Sequence, residues 1–141
     1  VVTIPAKKPE VTRNTLLGAI SSDSPLEVQP VNGVVIQSGR AQGPLIGGNL
    51  TTLCHLLRTP FEPQFKQRIL LLEDRGEALY RIDRMLCQMK FAGCFKGIAG
   101  LVLGSFEGCG SLDSVFQIFE YTLPVSVRAT LHRWDPSDYQ D

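Results

Sequence analysis

Histidine is scarce in this chain, two residues in 141, and an excess charge of either sign is missing, since 14 basic and 14 acidic residues give a formal net charge of zero. That balance excludes the broad basic surface with which nucleic-acid binders displace counterions. No apolar run approaches the roughly 20 residues that cross a bilayer. The leading Val1-Val2-Thr3-Ile4-Pro5 lacks the basic lead, apolar core and cleavage pattern of a signal peptide. Cys54, Cys87, Cys94 and Cys109 match no zinc spacing, and three of them lie in or near apolar stretches. They are expected to be reduced, buried thiols, which points to the cytoplasm. These absences leave a chain with no expected metal, cofactor, nucleic-acid partner or membrane contact. What is present is an apolar fraction of 43%, enough for a single-domain core.

Periodicity predicts a helix opening at Pro9-Glu10 and running to Ile20, with Leu16, Leu17 and Ile20 as its apolar face. Ser21-Ser22-Asp23-Ser24-Pro25 breaks it. Strands are expected over 26–30 and 34–37, joined by an Asn32-Gly33 turn. A glycine-rich stretch, 38–48, then leads to Asn49. Asn49 has the chemistry of an N-cap, and Leu50, Leu53, Cys54 and Leu57 behind it fall at helical spacing until Thr59-Pro60. Residues 68–72 read as a strand buried on both faces, because no alternation is visible. A long helix is expected over 79–92, with Ile82, Met85, Leu86 and Met89 inward and Gly93 as its cap. A further strand over 98–103 ends at Gly104. Ser111 caps a last helix whose apolar face is Leu112, Val115, Phe116 and Phe119, and Val125, Val127, Ala129 and Leu131 alternate as a half-exposed strand. The order predicts a mixed α/β domain with helices packed on its sheet.

Within that frame Leu70-Leu71-Leu72-Glu73-Asp74-Arg75-Gly76-Glu77 is the segment with chemistry. An apolar strand delivers carboxylates to its C-terminal edge, where open α/β architectures place reactive groups. Glu73 there is held rigidly, partly desolvated and still reachable. Asp74 and Glu77 are expected to cap the following loop and the helix that opens near Leu79. Arg81, Asp83 and Arg84 are expected to pair on that helix's surface. Gly47 and Gly48 should permit a tight backbone path and do not form a phosphate loop. His55 is expected at a surface or rim. Two carboxylates flanking one bond are excluded, since neighbours on a strand point to opposite faces.

The junction after Glu120 lacks turn chemistry. A helix ending there meets a strand from Tyr121-Thr122-Leu123-Pro124 with no glycine or asparagine to close it. Either the turn is unusually tight or residues are absent between Glu120 and Tyr121.

Three segments together resemble the LD-carboxypeptidases, serine peptidases that trim murein tetrapeptides and include the microcin-immunity peptidases. They are Gly47-Gly48-Asn49-Leu50 with Leu56-Leu57-Arg58-Thr59-Pro60, then Leu71-Leu72-Glu73-Asp74 with Tyr80-Arg81-Ile82-Asp83-Arg84-Met85-Leu86, then Gly100-Leu101-Val102-Leu103-Gly104-Ser105-Phe106. The resemblance covers only the C-terminal half of the family's polypeptide. It implies a barrel-like β/β/α domain, with residues 1–25 as the inter-domain connection and 26–141 as the C-terminal domain. It implies that Glu73 is the triad glutamate, orienting an imidazole that takes a proton from a serine on an upstream domain. The family's histidine stands in a Gly-His segment shortly before a Thr-Leu-Pro strand. Here Thr122-Leu123-Pro124 is present without that segment, at the same junction that lacks turn chemistry. His132 lies beyond the strand and does not fit the pattern, and Trp134 and Tyr139 fall in a polar tail. The implied partners are a murein peptide, the chain's own N-terminal serine domain and a second copy in a homodimer. The competing readings are a microcin-immunity type peptidase of the same family and a non-catalytic dimerisation or ligand-binding module of the same fold.

Overall fold

The computed structural model describes residues 41–123, together with Leu17, Gly18, Ser21 and Val127. Two compact units divide the chain, one made of Val1–Val31 with Asp135–Asp141 and the other of Asn32–Trp134. In the first, Leu17, Gly18 and Ser21 are helical, and the Ser21 hydroxyl donates to the Leu17 carbonyl one turn back. Ser21, one residue past the expected end at Ile20, is thus helical as well. The strands expected over 26–30 and 34–37, their Asn32-Gly33 turn and the strand expected from Val125 to Leu131 lie outside the described residues, Val127 excepted.

The second unit alternates strand and helix: β1 (Leu45–Asn49), α1 (Leu50–Leu56), β2 (Ile69–Arg75), α2 (Leu79–Ala92), β3 (Gly100–Glu107) and α3 (Leu112–Thr122). Each strand-to-strand connection includes a helix, and the three strands are accordingly parallel, in the order β1-β2-β3. Leu70 and Leu72 of β2 and Leu101, Leu103 and Phe106 of β3 form the sheet's contribution to the core. They share one cluster with Leu50 and Leu53 of α1, Ile82, Leu86 and Met89 of α2, and Val115 and Phe119 of α3. Phe106 and Phe119 meet edge to face, with ring centroids 5.5 Å apart. No helix among the described residues is long and apolar enough to cross a membrane.

Local chemistry sets the helix ends. Asn49 caps α1 by accepting from the Thr52 N–H at 2.9 Å, and Ser111 caps α3 by accepting from the Ser114 N–H at 3.2 Å. Gly93 closes α2 in the left-handed conformation, with φ 84°. α1 stops earlier than expected, at Leu56, because Arg58 adopts φ 62° and the Thr59 hydroxyl takes the freed Leu56 carbonyl at 2.7 Å.

Three expectations are corrected. β2 is not buried on both faces among the described residues: Leu70, Leu72 and Asp74 are buried, whereas Ile69, Leu71 and Glu73 are half-buried. The sequence hid this alternation because the half-covered face also has apolar side chains, which a folded surface tolerates. β2 and β3 both outrun their expected ends, so Glu73 and Asp74 belong to the strand itself and not to its edge. α3 continues through Glu120 and Tyr121 to Thr122, and the Leu123 N–H donates to the Phe119 carbonyl at 2.9 Å. Val115, Phe119 and Thr122 are its buried positions, spaced i, i+4, i+7, so burial extends the helix past the expected strand start.

β1, which the sequence did not signal, depends on its glycines. Gly47 and Gly48 both sit at φ 141°, and a Cβ on Gly47 would fall 1.9 Å from the Leu71 carbonyl oxygen. Only glycine allows β1 to pair with β2 there.

Candidate functional site

The residues around Glu73 come from all three strands. In β1 its register partner is Asn49. On the other side, pairing of β2 with β3 shifts between Leu72 and Asp74: Leu72 opposes Leu103, but Asp74 opposes Phe106. Gly104 and Ser105 together therefore stand opposite Glu73, a bulge of the kind that re-aims a side chain. Gly104 also makes room, since a Cβ there would come 3.0 Å from the Glu73 Cβ.

Alternation along β2 sends the Asp74 side chain to the core face and Glu73 to the opposite one. Asp74, 3% exposed, is fully engaged. Its Oδ1 accepts from the Asn49 amide and from the Arg75 N–H, each at 2.8 Å. Its Oδ2 accepts from the Thr51 N–H at 3.0 Å and the Thr51 hydroxyl at 2.8 Å. Asp74 was expected to serve the loop and helix that follow it; instead it turns back to the first turn of α1. Asn49 is the hinge of this network, giving its amide protons to Asp74 while its oxygen caps α1. Sequence reasoning found Asn49 as a cap and missed its bridge to Asp74, because a contact between residues 25 positions apart leaves no local signal.

Glu73 is left as the available carboxylate. Burial pushes its carboxyl above the ordinary value, the neighbouring Asp74 charge adds to that, and the Asn49 amide opposes both. A half-buried carboxylate on a strand, with a filled network behind it, is suited to accept an N–H and stabilise a cation that forms beside it. His55 is the one histidine among the described residues, and it lies exposed on α1, against a cavity that Glu73 does not line. His132, Trp134 and Tyr139 lie outside the described residues. No group of three or more His, Cys, Asp or Glu side chains among the described residues is placed to hold a metal ion.

The remaining polar residues of the motif separate. Glu77 pairs with Arg81 at 3.0 Å, one turn apart, and its charge sits at the start of α2, where the uncapped N-terminus favours an anion. Arg84 lies over the Tyr80 ring, 5.2 Å from its centroid. Asp83 pairs with neither arginine, and its Oδ1 is buried without a partner among the described residues. The surface pairing expected of these three holds for Arg81 alone: its partner Glu77 lies one turn earlier, just before α2, whereas Arg84 stacks on Tyr80 and Asp83 has no ion pair among the described residues. All four cysteines are free thiols, with Cys54, Cys94 and Cys109 buried.

Comparison with known proteins places this arrangement. A model of the LD-carboxypeptidase C-terminal domain matches residues 42–132. A putative carboxypeptidase of Synechocystis sp. is 43% identical over 84 residues, covering 60% of this chain and 28% of that protein. A probable murein peptide carboxypeptidase of Bacillus subtilis is 41% identical over 83 residues, covering 59% of this chain and 25% of its own length. Among solved structures, the muramoyltetrapeptide carboxypeptidase of Oxalobacter formigenes superposes with a TM-score of 0.63 at 28% identity, covering 90% of this chain and 45% of that one. The chain thus spans between a quarter and a half of the proteins it matches.

Proposed function

The chain belongs to the LD-carboxypeptidase family, as its C-terminal domain, and from that membership we propose that it forms part of a serine-type carboxypeptidase removing the terminal D-alanine from murein tetrapeptides. Support for the substrate class comes from the Bacillus subtilis and Oxalobacter formigenes proteins, whose names specify murein peptides. The observation on which the reading rests is Glu73: half-buried, aimed away from the Asp74 network and held between Asn49 and the Gly104-Ser105 bulge.

In this reading Glu73 accepts an N–H from an imidazole, fixes its tautomer and stabilises the imidazolium formed when the other ring nitrogen takes the serine's proton. Glu73 is an orienting group and does not attack. The serine belongs to an upstream domain and the histidine to a part of the protein outside the described residues, since α3 runs unbroken through Glu120 and Tyr121. Residues 1–25 serve as the connection to the serine domain and residues 26–141 as the C-terminal domain. The complete protein acts in the cytoplasm on a murein peptide, as a homodimer.

The test has two arms. The 141-residue chain alone should not hydrolyse an L,D-tetrapeptide, because it has the orienting carboxylate without base or nucleophile. In the complete enzyme Glu73→Gln should lower kcat by roughly a hundredfold or more while the fold persists. Unchanged kcat in that variant would remove Glu73 from the mechanism, and a gene reading continuously across Glu120-Tyr121 with no serine domain upstream would favour a non-catalytic module.

A further inference from the structure

Between α1 and α2 lies an open hollow of about 250 Å³ that the reading of Glu73 does not use. Thr51, Cys54 and His55 line it from α1, and Arg81, Arg84, Met85 and Gln88 from α2. Its floor is already satisfied. The Thr51 hydroxyl gives its proton to Asp74 at 2.8 Å, and the Cys54 thiol lies 3.5 Å from the Met85 carbonyl. The groups left to meet a ligand are His55, Arg81, Arg84 and Gln88.

Two of them are cations, and the other two can each donate an N–H. Arg81 uses Nε on Glu77, and its guanidinium retains further N–H donors. Arg84 has no carboxylate partner among the described residues and is steadied over the Tyr80 ring instead. No carboxylate lines the cavity. A solvated arginine face needs no concavity, but here two guanidiniums, an imidazole and an amide converge on one from two helices. The volume suits a small polyatomic anion with a few waters, given the share of about 30 Å³ that each water takes in the liquid.

We propose that the α1/α2 cavity binds a small oxyanion, a phosphate or carboxylate group gripped by Arg81 and Arg84 and completed by His55 and Gln88. Guanidinium forks match both geometries, and each charge-assisted bond outweighs a neutral one. The site is independent of the Glu73 reading, because Glu73 does not line it.

The experiment is a ¹H–¹⁵N titration of the 141-residue chain with sodium phosphate, and separately with sodium acetate, against sodium chloride at equal ionic strength. Saturable shifts centred on His55, Arg84 and Gln88 with phosphate assign a phosphate site, and the same with acetate a carboxylate site. Arg84→Gln should weaken that binding roughly tenfold, the loss of one charge-assisted bond, with the rest of the spectrum unmoved. His55→Gln, which keeps a polar donor on α1, should weaken it less. Shifts no larger than with chloride, or equal saturation in an Arg81→Gln/Arg84→Gln variant whose spectrum is otherwise native, would overturn the proposal.

Discussion

Thr51 is joined twice to one oxygen of Asp74, by its backbone N–H at 3.0 Å and its hydroxyl at 2.8 Å. A carboxylate from the middle strand thereby closes the first turn of a helix 23 residues earlier. The strand that presents Glu73 and the helix that follows Asn49 are in this way one rigid corner. Asp74→Ala leaves four donors unmatched, the Asn49 amide, the Arg75 N–H and the Thr51 N–H and hydroxyl, and should destabilise the domain by about 2–4 kcal/mol. Urea unfolding of the variant measures this directly, and a change below half a kcal/mol would mean that water replaces the carboxylate without penalty.

Glu73 gives a prediction of opposite sign for stability and for activity. Its carboxyl is raised above the ordinary value of 4.5, chiefly by burial. The native state then binds the proton more tightly than the unfolded state, so this group's contribution falls as pH rises from 4.5 through the folded value. Above that window the charged carboxylate is a standing cost; below 4.5 it is none. Glu73→Gln should therefore unfold at higher denaturant than the parent at pH 7 and match it at pH 4. Equal midpoints at both pH values would contradict the desolvated placement.

Gly47 and Gly48 separate two kinds of strain. Both sit at φ 141°, but a Cβ on Gly47 would meet the Leu71 oxygen at 1.9 Å, whereas one on Gly48 would meet nothing within 4 Å. Gly48→Ala should cost the backbone penalty alone, about 1–3 kcal/mol. Gly47→Ala must also part β1 from β2 and should cost more, seen as faster hydrogen exchange of the β1–β2 ladder amides in that variant alone.

Cys54 and Cys94 are held up to about 11, mainly by burial. At pH 8 about one part in a thousand of either thiol is ionised, and thiolate is the reactive form. Neither should be alkylated by iodoacetamide in the native protein on the timescale of an unstructured thiol, with mass spectrometry of digested peptides as the readout. Rapid labelling of either would place it outside the core.

Parts of this fold that depend on neighbours in sequence could be read from it. Asn49, Gly93 and Ser111 set helix ends through bonds to residues three or four positions away, and their side chains announce the role. β1 could not be read, because Gly47 and Gly48 are poor strand formers whose presence is explained only by the close approach of Leu71. The end of α3 was misplaced because Thr122, a polar residue, occupies a buried helical position. At the site, Glu73 was legible from its place in the apolar run. The locking of Asp74 to Asn49 and Thr51 was not, since it depends on how β1, α1 and β2 come together. The α1/α2 cavity was equally hidden: His55 and Arg84 gave no sign in sequence that they would line one hollow.

The Gly104-Ser105 bulge has an effect downstream of the carboxylate it faces. One surplus residue inverts the parity of β3, so that Phe106, which strict alternation after Leu103 would turn outward, enters the core with the position opposite Asp74 and reaches Phe119. The strand thus runs in one phase before Glu73 and in the other after it. A deletion of Ser105 would leave Gly104 alone opposite Glu73 and keep Phe106 opposite Asp74, so the contact with Phe119 would survive while the turn that the bulge gives the strand beside Glu73 would be lost.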